Sequence, residues 1–156
     1  MPPNVYFNYL SNEISYIFDT MKIRAHHLLC MQGFQGYGYS EDFSKNMAEI
    51  IEILQNFPEH EIEIVAETDS ICTCCPYNIN GKCQESQEVN DKIISMDLKV
   101  LEKLEISPGY VFKAGEILKI TNKKLKTYLD VKEICGDCRW SEKCLWYLKK
   151  CAVSTV

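Results

Sequence analysis

The chain lacks the features that mark several large classes of protein. Among its 156 residues no apolar run is longer than a few positions, whereas a membrane-spanning helix needs about 20. Glycine (7) and proline (5) are sparse, and with 46% apolar and 25% charged residues the composition is that of an ordinary globular domain. Long disorder, collagen-like repeats and coiled-coil rods are excluded on that ground. Basic charge is also short, with 17 Lys and Arg against 22 Asp and Glu and a net charge of -5. The whole surface is therefore not a nucleic-acid footprint. No Ser/His/Asp order and no carboxylate pair marks a hydrolytic site. The opening Met1-Pro2-Pro3-Asn4-Val5-Tyr6 has neither the basic nor the apolar region of a secretory signal, which predicts a cytoplasmic chain with reduced thiols.

Cysteine is what the chain has in excess: nine of them. In a reducing compartment, clustered cysteines are metal ligands or redox thiols rather than a disulfide framework. Charge is uneven as well. Residues 1–78 hold three basic and eleven acidic side chains, and the remainder holds fourteen and eleven. The densest basic cluster, Lys119, Lys123, Lys124 and Lys126, reads as a solvated helix face, with a docking surface for an acidic partner as the alternative.

The periodicities predict an α+β chain, mainly α, with a minor strand element: a small single cysteine-rich, metal-stapled domain over 21–151. Residues 1–20 form an extension, read either as a translated leader before an initiating Met21 or as a short amphipathic helix using Leu10, Ile14, Ile17 and Phe18. The clearest helix starts at the Ser40 cap, with Glu41 and Asp42 at the positive end of its dipole. Phe43, Met47, Ile50, Ile51 and Leu54 form its apolar face, and Pro58 lies beyond its end. Residues 61–67 alternate as a half-buried strand. A second helix runs from about Val89 to Leu104 and is broken by Ser107-Pro108-Gly109. Shorter helices are expected between Lys113 and Asp130, with Leu118, Leu125 and Leu129 in the core. Ser141 is expected to cap a last helix carrying Leu145, Trp146 and Leu148. The Gly33–Gly38 stretch reads as a turn, since no strand precedes it to make it a phosphate loop.

Two cysteine blocks carry the chemistry. Cys72 and Cys75 form a Cys-x-x-Cys followed by Pro76, with Cys83 eight positions on; Cys135 and Cys138 form another, with Cys144 six positions on. Cys-x-x-Cys is a tight turn that brings two sulfurs to one metal, and the exposed N–H groups of the turn stabilise the thiolates that ligate. Gly136 fits such a turn by accepting positive φ. Cys144, in the first turn of the last helix, gains from its dipole. Cys74 lies between likelier ligands and Cys151 is about 10.5 Å along the helix from Cys144, so both read as core or spare thiols. Each triad lacks a fourth ligand. Cys30, His26 and His27 are second-tier candidates, because either histidine shares a helical face with Cys30. Another option is an open site in which three cysteines hold a four-iron cluster.

Soft thiolates suit both iron–sulfur clusters and zinc. The leading expectation is an iron–sulfur protein, 4Fe-4S in type, with a redox or electron-transfer role and an unidentified redox partner. The alternative is a structural zinc module that binds a protein or nucleic-acid partner, worth on the order of 10 kcal/mol of folding energy. Lowest stands a dithiol oxidoreductase using Cys135 and Cys138, because no βαβ pattern surrounds them. Asp137 and Arg139 lie where they could tune a cluster. The sequence leaves open whether one site or two is formed.

Four motifs occur in order: Arg24-x-His26-His27-Leu28-Leu29-Cys30, Gly36-x-Gly38-Tyr39-Ser40, Ile71-Cys72-x-x-Cys75-Pro76 and Ile134-Cys135-x-x-Cys138-x-Trp140. Together they resemble an uncharacterised family of small bacterial and archaeal cysteine-rich proteins described as iron–sulfur-binding. The resemblance spans Met21 to Cys144. It implies a cysteine-ligated cluster with Cys72, Cys75, Cys83, Cys135, Cys138 and Cys144 at the matching positions. Cys74, Cys151 and residues 1–20 lie outside the pattern.

Overall fold

A computed structural model describes residues 20–153. The expected leader or amphipathic helix, with Leu10, Ile14, Ile17 and Phe18, lies outside the described residues, apart from position 20. The described chain is α+β, mainly α. It opens with strand β1 (Met21–Arg24), followed at once by α1 (His27–Gly33). Helix α2 (Glu41–Asn56) starts where expected, because Ser40 accepts a bond from the Phe43 N–H. Its Phe43, Met47, Ile50 and Leu54 are buried. Strand β2 (Glu61–Val65) then runs parallel to β1, pairing Ile23 with Ile64. Both isoleucines are fully buried, so the strand alternation is read correctly from the sequence.

A 3-10 turn at Ile71–Cys74 and a short hairpin, β3 (Asn78–Ile79) with β4 (Lys82–Cys83), carry the first cysteine block. Helix α3 (Gln87–Leu104) is capped by Ser86 and ends on Glu105 in the left-handed region, φ 57°. Strand β5 (Val111–Lys113) adds antiparallel to β2, giving the sheet order β1-β2-β5. Helices α4 (Ala114–Lys124), α5 (Tyr128–Cys135) and α6 (Leu145–Val153) complete the chain, with a 3-10 turn at Ser141–Lys143 before α6.

Several expectations are corrected. Leu129 is 76% exposed. Leu118 lies on α4, which ends at Lys124 with Leu125 as its C-cap, whereas Leu129 lies on the separate α5, whose buried face is Val131, Ile134 and Cys135. Ser141 opens the 3-10 turn instead of capping α6, and Cys144 precedes the helix, its carbonyl accepting from the Leu148 N–H. Leu145 and Leu148 are exposed, while Trp146 and Tyr147 face the core. Gly136 sits at φ -58°, an ordinary helical value. Its smallness serves packing, because a Cβ there would lie 2.6 Å from the Lys132 carbonyl oxygen. Among the described residues, no helix is long and apolar enough to cross a membrane.

Side-chain bonds fasten the helices around one end of α1. Asn122 on α4 donates to Gln32 on α1 and accepts from the Trp146 indole on α6 (2.8 and 3.1 Å). Lys92 and Lys99 on α3 reach the carbonyls of Asp137 and Glu133. α1, α3, α5 and α6 thereby surround a common cavity.

Candidate metal centre

The turn between β1 and α1 brings Arg24, His26 and His27 against two buried carboxylates. Arg24 donates from Nε to Asp97 Oδ2 (2.8 Å) and forms an ion pair with it through a second nitrogen (2.6 Å). The other Asp97 oxygen accepts from the His26 N–H (3.0 Å) and the His26 Nδ1 (2.7 Å). Asp69 is arranged the same way: Oδ2 accepts from the Arg24 N–H (2.8 Å) and His27 Nδ1 (2.7 Å), and Oδ1 from the Cys72 N–H (3.0 Å). Both carboxylates have no exposed side-chain surface.

Burial works to raise the Asp69 pKa. Its pairing with His27, the Arg24 N–H and Cys72 outweighs that and holds it at about 2. Asp97 is likewise kept below the usual range, its burial overcome by His26 and Arg24. Ionised carboxylates only accept, so the proton lies on Nδ1 of each histidine and the lone pair of the neutral ring lies on Nε2. Burial lowers the His26 pKa and favours that neutral form.

The cavity is about 220 Å³ and is lined by His26, His27, Cys30, Cys135, Cys138 and Cys144, among others. Cys30 comes from the middle of α1, Cys135 from the end of α5, Cys138 from the turn after it, and Cys144 from the residue before α6. Within that turn the Cys138 N–H bonds the Cys135 carbonyl (3.0 Å). Gly33 lets α6 approach, because a Cβ there would collide with Cys144 Sγ and lie 2.7 Å from the Trp146 nitrogen. The sulfurs sense one another. Burial, then Cys138, Cys135 and Cys144, push the Cys30 thiol well up, and burial with Cys138 and Cys144 takes Cys135 to about 12. Cys144 is raised by burial against the opposing Tyr147 and Trp146 N–H groups, which donate to its sulfur. Thiols so raised stay protonated until a cation arrives to compensate their charge.

The first cysteine block is arranged differently. Cys72 is buried and bonded to Asp69; its Sγ, an Asp69 oxygen and a His27 nitrogen all lie within 4.8 Å of one another. Among the described residues that is the only such trio of His, Cys, Asp or Glu donors. Asp69 already accepts bonds from Arg24, His27 and Cys72, so the trio is tied together as a hydrogen-bond network that sets His27. Cys75 lies near Cys83, and its sulfur accepts from the Tyr77 and Asn78 N–H groups, which oppose the upward push of burial. Cys74 and Cys151 are half-buried and stand outside the cavity wall. Between the two blocks Tyr39 packs edge-on against Tyr77 and Trp140 (both 5.4 Å), with the Arg139 guanidinium 5.2 Å from its ring.

Of the predicted site residues, the structure thus gathers Cys135, Cys138 and Cys144 with the second-tier Cys30, pairs Cys75 with Cys83, and turns Cys72 toward Asp69. Arg24, Asp69 and Asp97 were missed by sequence reasoning as site residues. One signal existed: Asp97 falls on the apolar face of α3, in line with Ile93 and Leu101. Asp69 stands alone in a loop, and nothing local marks it.

Four soft donors from three segments fit a cluster or a thiophilic ion by their chemistry. A family model described as Protein of unknown function (DUF1284) matches residues 38–144. No curated protein and no solved structure matches the chain.

Proposed function

We propose that this chain, which belongs to the DUF1284 family, holds an iron–sulfur cluster of the 4Fe-4S type on Cys30, Cys135, Cys138 and Cys144 and serves a redox or electron-transfer role. The observation that carries the reading is the position of Cys30, which supplies the fourth sulfur that the second block lacks. When bound, such a cluster supplies one-electron redox chemistry. The protein's part is to hold four thiolates on one cavity wall, to donate backbone N–H groups to Cys144, and to keep the ligands oriented through the packing of α1, α5 and α6.

The four sulfurs do not form a ready-made single-zinc site. A single zinc with Zn–S near 2.3 Å needs sulfurs about 3.8 Å apart, whereas no three of these four stand within 4.8 Å of one another. Lys92, Arg139 and Lys143 on the cavity lining, against Asp137 alone, suit the net negative charge of a thiolate-ligated cluster. Cys75 and Cys83 form a separate pair across the Tyr39 contact, and in this reading they are not needed for the cluster.

Anaerobic purification followed by iron and acid-labile sulfide analysis tests the proposal. About four irons and four sulfides per chain, with a brown colour, are expected. Stoichiometric zinc without sulfide would establish the zinc module instead, and metal-free folded protein with titratable thiols would refute both.

A further inference from the structure

With Cys30 as the fourth sulfur, neither His26 nor His27 is needed to complete the sulfur group. Both are nevertheless built as ligand histidines are. A metal-binding imidazole characteristically donates one ring N–H to a carboxylate, which fixes the tautomer and strengthens the other nitrogen as a donor. His26 does this with Asp97 and His27 with Asp69, each at 2.7 Å from Nδ1. Each ring is nine-tenths buried, and only Nδ1 of each makes a hydrogen bond. The rings lie side by side with centroids 4.5 Å apart and share the wall of one cavity. A purely structural role, tying the start of α1 to α3 and to the Ile71–Cys74 turn, would use Nδ1 alone. Neither Nε2 is among the enclosed, unbonded polar atoms of the described residues, so each reaches open space on the cavity wall, where a purely structural role gives it nothing to bind.

We propose that His26 and His27 bind one divalent first-row transition metal ion through their Nε2 atoms, in the cavity beside the four-cysteine group and separate from it. Two neutral imidazole nitrogens select Fe²⁺, Co²⁺, Ni²⁺ or Zn²⁺ over the oxygen-seeking Mg²⁺ and Ca²⁺. Asp97 and Asp69 are positioning residues: their oxygens face Nδ1 and Arg24, not the ion. The remaining coordination positions open into the cavity, where solvent or a small ligand completes the shell. The inference rests on the preceding reading only in taking Cys30 as a cluster ligand.

The test is anaerobic equilibrium dialysis of the full chain, purified with its cluster, against Co²⁺, with cobalt, iron and sulfide all counted. One cobalt per chain is expected, with iron and sulfide unchanged and no competition from excess Mg²⁺. His26→Gln and His27→Gln are each expected to weaken cobalt binding at least tenfold while retaining iron. Because these variants also lose a buried bond, cobalt X-ray absorption on the unaltered protein gives a second reading: a nitrogen and oxygen first shell with imidazole scattering is expected. No bound cobalt at full iron content, cobalt entering only as iron leaves, or sulfur in the cobalt shell overturns the proposal. If the purified chain holds no iron, the cluster reading fails on its own, and the imidazole signature still decides the histidine site.

Discussion

The two cysteine blocks are near copies in sequence, each a Cys-x-x-Cys with a third cysteine a short loop away, yet they occupy different surroundings. The second block lies where three helix ends meet, and α1 brings Cys30 to it. The first lies on a 3-10 turn and a two-residue hairpin, where Cys72 is drawn off by Asp69 and only Cys75 and Cys83 remain together. A cysteine spacing specifies a local turn; whether the turn becomes a four-sulfur site depends on what packs against it.

The largest expected effect breaks this contrast outright. Cys30→Ser or Cys138→Ser should lose the whole iron complement, while Cys83→Ser keeps it; iron analysis of the three purified variants decides, and loss from Cys83→Ser would make the blocks equivalent. Next comes the support beneath α1. Asp97→Asn leaves the Arg24 guanidinium buried, 3% exposed, without its counter-charge, and should cost about 3–5 kcal/mol in denaturant unfolding.

The first block's counterpart is pH-dependent. Asp69 titrates at about 2 in the folded protein against an ordinary 3.8, so its stabilisation is complete above about pH 4 and is lost as the pH falls through 2. The shift corresponds to about 2 kcal/mol. Unfolding measured from pH 5 to 2 should show that loss in the native chain on top of the Asp97 contribution, and Asp69→Asn should reduce the total loss by about 2 kcal/mol. The smallest effect is a control: Cys74→Ser, outside both groups, should change stability by no more than about 0.5 kcal/mol and leave iron unaltered.

Much of the fold was legible beforehand. Helices α2 and α3 announce themselves through apolar residues at helical spacing, α2 also through its Ser40 cap, and β2 through its alternation; the Ser86 cap of α3 emerged only in the structure. Strands β1 and β5 were not, because three or four residues including Lys22, Arg24 and Lys113 carry no usable period; their strand geometry comes from pairing with β2. Leu129 was misplaced because the short α5 turns Val131, Ile134 and Cys135 inward instead, a face too brief to leave a clear period. Of the candidate centre, all the sulfurs and both histidines were visible as residue types. The rank of Cys30, and the carboxylates of Asp69 and Asp97 behind the histidines, were not.

Sequence alone settled the chemistry on offer: an excess of soft sulfur and two adjacent imidazoles. Tertiary structure decided the partnerships. Cys30 and Cys135 lie far apart along the chain, as do His26 and Asp97, and each pair meets only because amphipathic helices bury their apolar faces together. That burial acts on whole faces at once, so the meeting of two particular side chains is a consequence of packing and leaves no trace in local spacing.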